Sequence, residues 1–154
     1  IKMIRYYQGD SESIAQLFTA AIHRSGRHHY TPEQLHAWAP LKIDLAYWHH
    51  RCELKRPFIY VHNSHTLGFI ELDPDGHIDC HYVHPDHQRR GIGQALLRYA
   101  ENVAHSMRIP RLFVEASKMA RGLYERNGFS LLRSNSAVVR DVHLENYIME
   151  KQLK

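Results

Sequence analysis

The stretch between residues 78 and 103 restricts the possible folds more than any other part of the chain, because its hydrophobic pattern changes type within a few residues. Ile78 to Val83 has the pattern of a short β-strand. From Gly91 onward the apolar positions follow the spacing of an amphipathic helix of about four turns. They are Ile92, Ala95, Leu96, Tyr99, Ala100 and Val103. We therefore expect a strand that passes through a glycine-containing turn directly into a helix.

The turn itself, Gln88-Arg89-Arg90-Gly91-Ile92-Gly93, has the composition of a phosphate-binding segment. The first turn of a helix presents unpaired N–H groups and the positive end of the helix dipole, which together bind anions. Gly91 and Gly93 let the backbone approach a ligand closely, and Arg89 and Arg90 add charge and hydrogen-bond donors. The residues alone leave two alternatives open, an anion-binding helix start and a simple turn with solvated arginines. The spacing matches neither a P-loop nor a dinucleotide-binding motif.

The remaining patterns predict a mixed α/β protein. Helical spacing and capping signals indicate three helices before residue 55, and strand patterns begin after Pro57. The expected order is β-α-α-α-β-β-β-α-β-α-β-β on a largely antiparallel sheet. Near the end, Met119 to Glu125 is expected as a helix and Phe129 to Leu132 as a strand. The chain has 154 residues, of which 44% are apolar, so residues 1–154 are expected to form one domain.

The composition narrows the classes of partner and compartment. The net charge of +4 suits an acidic ligand, but the basic residues are scattered and lack the stripe expected of a nucleic-acid surface. Apolar runs stay shorter than the roughly 18 to 20 residues that span a bilayer. The two cysteines lack CxxC spacing and suit a reducing compartment. We therefore expect a cytoplasmic protein that binds neither nucleic acid nor a membrane.

Histidine is frequent, with fourteen in the chain, and a histidine-based metal protein is one alternative. The pairs His28-His29 and His49-His50, however, consist of neighbours in the sequence. Adjacent side chains on a helix or a strand point in different directions and cannot easily bind the same ion. We therefore expect no metal site.

Two segments together resemble the motifs of a known superfamily. The pattern Pro85-x-x-Gln88-Arg89-Arg90-Gly91-Ile92-Gly93-x-x-Leu96, with the strand before it, resembles motif A of the GNAT N-acetyltransferases. A second pattern is similar to their motif B and reads Ala120-x-x-Leu123-Tyr124-Glu125-Arg126-Asn127-Gly128-Phe129. The resemblance covers nearly the whole chain and is to small, single-domain bacterial members. It implies the GNAT fold, a mixed, mostly antiparallel sheet of about seven strands flanked by helices.

The resemblance also implies a reaction and a set of binding residues. GNAT enzymes use acetyl-CoA as acetyl donor, and a primary amine of a small molecule, or an exposed amino group, attacks the thioester directly. By resemblance, the pantetheine arm pairs with the backbone at Tyr82 and Val83, and the pyrophosphate contacts Gln88 to Gly93 together with Gln94. Ser117 stands where many members carry an asparagine next to the cofactor. A homodimer is a further expectation from the family.

Proton transfer has several candidate residues. Tyr124 lies where many relatives place a tyrosine near the CoA sulfur, so it is either a general acid toward the leaving thiolate or a core residue. Asp79 is the first choice for the base that deprotonates the amine, because strand alternation puts it on the same face as His81. Glu71 on the preceding strand and His81 itself, whose ordinary pKa is near neutrality, are the alternatives.

The acceptor amine and the competing function depend on fewer residues. Tyr30 and Trp38 are expected to line the acceptor pocket, where aromatic rings can enclose a small amine or hold its cation, although both could equally pack in the core. The competing function is a non-catalytic acyl-CoA-binding regulatory module on the same fold. Ser117 and the uncertain base favour that alternative, whereas Tyr124 argues against it.

Overall fold

The computed structural model describes residues 2–153, and its elements follow the expected order. Seven strands and five α-helices lie within these residues. They are β1 (Lys2–Tyr6), α1 (Ser11–Gly26), α2 (Pro32–Trp38), α3 (Leu45–Lys55), β2 (Phe58–His62), β3 (His65–Leu72), β4 (His77–Val83), α4 (Ile92–Ser106), β5 (Arg111–Ala116), α5 (Arg121–Arg126), β6 (Ser130–Val139) and β7 (Val142–Gln152). One 3₁₀ turn, Pro85–His87, connects β4 to the loop before α4. The predicted α/β fold class is confirmed.

All seven strands form one sheet in the order β1-β2-β3-β4-β5-β7-β6, and every neighbouring pair except β4 and β5 is antiparallel. The parallel pair is short, because β4 and β5 are paired only where His77 faces Phe113 and Ile78 faces Val114. Beyond Ile78 the two strands separate. The sheet therefore opens into a cleft at its centre, with the later part of β4 on one side and the end of β5 on the other.

A β-bulge in β4 changes which side chains share a face. Ile70 of β3 is opposite His81 and Leu72 is opposite Ile78, so β4 contains one more residue than β3 over the same distance. Asp79 is paired with α3 through Arg51, whereas His81 contacts α4 and α5. The expectation that strict alternation puts Asp79 and His81 on one face is therefore wrong.

Three clusters of buried hydrophobic residues hold the helices on the two faces of the sheet. Leu96, Leu97, Ala100 and Ala104 of α4 are fully buried on one face. Each fully buried leucine contributes about 1.5–3 kcal/mol, so the orientation of α4, and with it the position of its N-terminus at the cleft, is firmly fixed. On the other face α1 and α3 pack around Ile14 and Trp48. Within residues 2–153, helices of the length and apolarity needed to cross a bilayer are absent.

The C-terminal hairpin is longer than the sequence indicated. The strand expected over Phe129 to Leu132 continues to Val139, and the helix before it begins at Arg121 instead of Met119. Most side chains of β6 are exposed on both faces, so the strand carries no hydrophobic alternation that would reveal its length. Its pairing with β7 defines it instead. At the turn, Arg140 and Asp141 both have positive φ angles, 47° and 63°.

Candidate active site

Two cavities meet in the cleft between β4 and β5. The larger, of about 700 Å³, extends between the start of α4 and the segment around α5. The smaller, of about 180 Å³, lies beneath the β6–β7 hairpin. Four residues line both cavities, namely His81, Tyr82, Ser117 and Ala120. A molecule extending from the larger cavity would therefore reach the smaller one beside His81.

The larger cavity contains the predicted phosphate-binding turn. Gly91, the residue before α4, has a φ of 79°, and Arg89 has a φ of 63°. The helix start has no side-chain cap, so the N–H groups of its first turn face the cavity without competition from a capping side chain. The predicted cofactor-binding residues that line this cavity are Tyr82, Val83, Gln88, Arg89, Gly91, Ile92, Gly93, Gln94 and Ser117. Arg90 is not among them, although its guanidinium lies 3.2 Å from Nδ1 of His87, which does line the cavity.

Gly93 is closely packed at the same helix start. A Cβ atom at this position would lie 3.3 Å from a side-chain carbon of Leu123, slightly tighter than an ordinary van der Waals contact, and 3.4 Å from one of Val83. Its carbonyl oxygen also accepts a hydrogen bond from the ring of His81, with an Nε2–O distance of 2.8 Å. The phosphate-binding turn is thus joined directly to the centre of the cleft.

The edge of β4 that faces the cleft is available to a ligand. Within the described sheet β5 stops pairing with β4 after Val114, which leaves the backbone of β4 from Asp79 to Val83 without a strand neighbour on that side. The Gln88 side chain donates to the carbonyl of Val83 at 3.1 Å and holds the following loop against the strand end. An extended ligand can pair with such an edge as an additional strand.

At the junction of the cavities, His81 and Tyr124 are hydrogen-bonded to each other. The Tyr124 hydroxyl lies 2.7 Å from Nδ1 of His81. Burial lowers the pKa of His81 to about 4, against a smaller opposing effect of the bond to Gly93. Burial also raises the pKa of Tyr124, whose side chain is 1% exposed. Both groups are therefore uncharged near neutral pH, with the phenol protonated and the imidazole in its neutral form.

Ser117 connects the end of β5 to α5. Its hydroxyl accepts a hydrogen bond from the N–H of Ala120 at 3.2 Å, so the side chain caps the turn that leads into the helix. Ser117 lines both cavities.

The smaller cavity has an aromatic wall. Tyr30, Trp38 and Tyr82 form an edge-to-face chain in which the ring centroids are 5.4 Å and 6.3 Å apart. The Tyr30 hydroxyl makes two hydrogen bonds to the backbone: it donates to the carbonyl of Glu145 at 2.7 Å and accepts from the N–H of Lys118 at 3.1 Å. Tyr30 thus combines a structural bond with a place in the cavity wall, and both Tyr30 and Trp38 line the predicted pocket.

Helix α2 and the hairpin form a roof over this cavity. The amide of Gln34 donates to the carbonyl of His143 at 2.9 Å. In the opposite direction, the guanidinium of Arg140 donates to the carbonyl of Ala37 at 2.6 Å. Together with the Tyr30 bond to β7, these contacts hold Ala137, Val139 and Leu144 above the cleft, where they line the cavity.

The two carboxylates predicted as bases are engaged in ion pairs. Glu71 is fully buried, receives two hydrogen bonds from Arg51 at 2.6 Å and 3.0 Å, and lines neither cavity. Asp79 lines the smaller cavity but lies 3.0 Å from Arg51 and 2.7 Å from Lys55. Burial alone would raise the pKa of Asp79, but the hydrogen bond from Lys55 and the two positive charges outweigh it and lower the pKa.

Two groups of side chains near Asp79 have the spacing of metal ligands. Asp79 belongs both to a group with Glu71 and Cys80 and to a group with Asp73 and His77, and within each group the ligand atoms lie within 4.8 Å of one another. The guanidinium of Arg51 and the ammonium of Lys55 already donate to these carboxylates. We therefore describe both groups as ion-pair networks that tie α3 to β3 and β4.

Sequence reasoning missed Glu115 and Glu145, whose side chains also line the smaller cavity. Glu115 lies at the end of β5, 2.7 Å from Nε2 of His77, and this hydrogen bond raises the pKa of His77 against the opposing effect of burial. Glu145 lies on β7 and is largely exposed. A polar residue inside the apolar strand Arg111–Ala116 is the signal that could have revealed Glu115. Glu145 has no such signal.

Comparisons with known proteins agree with this geometry. Residues 27–152 match the family model of the acetyltransferase (GNAT) domain. The chain therefore belongs to the GNAT acetyltransferase family, whose members transfer acetyl groups from acetyl-CoA, and the predicted family and enzyme class are confirmed.

Particular relatives resemble it along most of its length. Uncharacterized N-acetyltransferase YafP of Escherichia coli strain K12 is 28% identical over 149 residues, covering 97% of this chain and 94% of that protein. The crystal structure of a GCN5-related N-acetyltransferase from Rhodopseudomonas palustris has a TM-score of 0.93 at 30% identity, covering 98% and 95% of the two chains. YncA of Salmonella typhimurium, solved with its cofactor acetyl-CoA, has a TM-score of 0.73 at 18% identity, covering 100% and 95%, and shares the fold.

Proposed function

We propose that this protein transfers the acetyl group of acetyl-CoA to a primary amine of a small molecule, or to an exposed amino group, by direct attack of the amine on the thioester. The observation that carries the proposal is the meeting of two cavities beside His81 and Tyr124, one with an anion-binding helix start and one with an aromatic wall. Acetyl-CoA in the solved structure of YncA, which has the same fold, supports the choice of donor.

In this proposal acetyl-CoA occupies the larger cavity. The pyrophosphate is bound by the N–H groups of the first turn of α4 and by Arg89, where the helix dipole and the arginine charge both favour an anion. The pantetheine arm pairs with the free edge of β4 at Tyr82 and Val83. This placement directs the thioester toward Ser117 and the junction of the two cavities. Arg90 does not line the cavity, and we propose that its positive charge attracts the cofactor as it approaches.

The amine is proposed to enter the smaller cavity. Its volume of about 180 Å³ suits an amino group with a short chain or a small ring. The face of Trp38 can hold an ammonium group by cation–π attraction, and Glu115 adds a carboxylate to the same walls. The carboxylates of Asp79 and Glu145 and the ring of Tyr30 already have Arg51, Lys55 and Lys118 as cationic partners. We therefore propose a small, positively charged primary amine as the acceptor class.

Proton transfer is assigned to residues at the junction and in the acceptor cavity. Tyr124 is proposed as the general acid for the leaving thiolate, since it is a buried, protonated phenol at the place where the thioester ends. For the base, the low pKa of Asp79 and its two cationic partners weigh against it. Glu115 also lines the cavity and has His77 as its hydrogen-bond partner, so we rank Glu115 before Asp79.

The proposal is tested by measuring thiol release from acetyl-CoA with the purified chain and a panel of monoamines, diamines, amino acids, amino sugars and short peptides. We expect release that depends on the amine and forms an N-acetyl product identified by mass spectrometry. Tyr124→Phe should bind acetyl-CoA normally and lower kcat on the order of 100-fold, because it removes only the acid.

The same assay separates the competing function. Tight binding of acetyl-CoA by calorimetry, together with a thiol release rate that no amine raises, would instead establish a non-catalytic acyl-CoA-binding module. Failure to bind acetyl-CoA at all would remove both functions.

A further inference from the structure

We propose that His81 is a positioning residue that orients the hydroxyl group of Tyr124 through a neutral imidazole fixed in one tautomer by the Gly93 carbonyl. This inference rests on the proposed function in one respect, because it assumes that Tyr124 is the acid of the transfer. The geometry that carries it is a continuous hydrogen-bonded chain from the first turn of α4 to α5.

The tautomer follows from the partner of each ring nitrogen. The Gly93 carbonyl oxygen can only accept a hydrogen bond, so Nε2 of His81, 2.8 Å away, must carry a hydrogen. A neutral imidazole has one N–H, and Nδ1 therefore presents a lone pair. The Tyr124 hydroxyl, 2.7 Å from Nδ1, must then donate its only hydrogen to His81.

This arrangement makes His81 a poor base. Its available lone pair is already occupied by the Tyr124 hydrogen, and a protonated ring would carry an Nδ1–H that points at the phenol oxygen in a site where burial disfavours the charge. What the ring does supply is a fixed acceptor that holds the buried phenol of Tyr124 in one rotamer at the cleft. The histidine predicted as a possible base thus acts through the tyrosine.

During transfer the hydrogen must turn from His81 to the cofactor. As the thioester C–S bond breaks, the O–H bond of Tyr124 breaks and an S–H bond forms on the departing sulfur. The amine nitrogen loses one proton to the proposed base, Glu115, when it becomes an amide. Glu115 releases that proton to solvent, and a proton taken up from solvent restores the Tyr124 hydroxyl. His81 is unchanged at the end, and its role is to keep the phenol oxygen within reach of the sulfur.

Gly93 makes the orientation depend on the cofactor-binding helix. The carbonyl that fixes the ring belongs to the first turn of α4, and a Cβ atom at this position would already be in contact with Leu123 and Val83. The rotation of the His81 ring is therefore set by the same turn that is proposed to hold the pyrophosphate.

Two substitutions of His81 separate the two hydrogen bonds. In asparagine the side-chain oxygen is as many bonds from Cα as Nδ1, so His81→Asn keeps an acceptor for Tyr124 and loses the donor to Gly93. In glutamine the side-chain nitrogen corresponds to Nε2, so His81→Gln keeps the donor to Gly93 and loses the acceptor for Tyr124. The two variants are similar in polarity and serve as each other's control.

We expect His81→Gln to lower kcat between about 10-fold and 100-fold, and no further than Tyr124→Phe does, with KM for acetyl-CoA unchanged. The acid is still present in this variant, but its hydroxyl is no longer held at the cleft, and a small misplacement of a catalytic group can cost about 100-fold. His81→Asn should keep kcat within about 5-fold of the unchanged protein, since one neutral hydrogen bond contributes about 1 kcal/mol. In the double variant His81→Gln with Tyr124→Phe, the two losses should not multiply, because both remove the same contact. Full activity of His81→Gln, or multiplying losses in the double variant, would overturn the inference.

The tautomer can be measured without any reaction. Nitrogen-15 NMR of histidine-labelled protein at about pH 7 should show the His81 ring with hydrogen on Nε2 and none on Nδ1, the signal being assigned by its loss in His81→Gln. A ring with hydrogen on Nδ1, or a charged ring, contradicts the inference even if every amine tested is acetylated. The expected tautomer in a protein that acetylates no amine would leave the positioning geometry standing and reject the proposed function.

Discussion

The two cavities of the cleft are built from different parts of the chain. The larger one includes two backbone features, the uncapped first turn of α4 and the free edge of β4, and three glycines are among its lining residues. The smaller one is lined by side chains from α2, β4, β5 and the hairpin, and most of their polar atoms are bonded to other protein groups. If the larger cavity holds the acetyl donor and the smaller one the amine, as proposed, the side chains of the smaller cavity can differ between relatives that use different acceptors.

The comparison predicts the largest effect for a side chain introduced at the backbone-lined cavity. Gly91→Trp should weaken the binding of acetyl-CoA by more than about 100-fold, or about 2.7 kcal/mol, because an indole would occupy the pyrophosphate position. Isothermal titration calorimetry measures this affinity. Because the site is built on backbone, few other single substitutions should affect it as strongly.

Gly9→Trp is the matched control for that change. Gly9 and Gly91 have φ angles of 77° and 79°, and a Cβ at either position meets no atom within 4 Å. Both substitutions therefore carry a similar backbone strain of about 1–2 kcal/mol, but Gly9 lines neither cavity. Equal affinities of the two variants for acetyl-CoA would show that the start of α4 does not hold the cofactor.

The next largest effect is expected among the acceptor-side carboxylates. Glu115→Gln should lower kcat/KM for the amine between about 10-fold and 100-fold, because it removes the proposed general base. Asp79→Asn should have the smaller effect, since Lys55 and Arg51 already keep that carboxylate from protonating. Steady-state kinetics with the amine varied at saturating acetyl-CoA decides between them. A larger loss for Asp79→Asn would restore Asp79 as the base.

A smaller effect on KM for the amine is expected when the contact between α2 and the β6–β7 hairpin, which form the roof, is weakened. Arg140→Ala removes the bond to the Ala37 carbonyl and should raise KM for the amine about 3-fold to 10-fold, the equivalent of about 1 kcal/mol for one hydrogen bond. KM for acetyl-CoA should stay the same, because the hairpin does not line the larger cavity. Arg133→Ala, an exposed arginine on the same hairpin, is the control. A rise in both KM values after Arg140→Ala would mean that the two cavities are not independent.

The smallest expected effect is on the pH dependence of the free energy of unfolding. Because Glu115 raises the pKa of His77 above its usual value of 6.5, this interaction is fully stabilising below that value and is lost as the pH rises through the folded-state pKa. His77→Gln should therefore lower the free energy of unfolding more at about pH 6 than at about pH 9, by less than about 1 kcal/mol. Denaturant unfolding at both pH values measures it, with the exposed His65→Gln as control. A larger loss at the higher pH would contradict the sign.

The order of elements could be predicted from the sequence because hydrophobic spacing and capping residues are local signals. The spacing of apolar residues after Gly91 correctly predicted α4, and the proline after Thr31 correctly predicted α2. The length of β6 could not be predicted, because its side chains are exposed on both faces and only its partner β7 keeps it extended. The bulge in β4 likewise comes from the pairing with β3, which the sequence of β4 alone does not reveal.

The site was predictable to the extent that it depends on backbone. The turn from Gln88 to Gly93 combines local signals, and it lines the larger cavity except at Arg90. Contacts between side chains that are distant in the sequence could not be predicted from local sequence patterns. His81 meets Tyr124 across 43 positions, and Arg51 joins Asp79 across 28. The protonation state of each candidate acid and base depends on such partners, so the sequence could name the candidates, but its choice of Asp79 as the first could not take Arg51 and Lys55 into account.

The roof over the smaller cavity is held by three hydrogen bonds. Each of them is accepted by a carbonyl oxygen of the main chain, at Ala37, His143 or Glu145. Any residue at those three positions would offer the same oxygen. The side chains that point into the cavity, such as Ala137 and Val139, can therefore be replaced during evolution without detaching the hairpin. Descendants of one ancestral gene can in this way acquire different substrates through a few point mutations, while the catalytic framework is inherited intact.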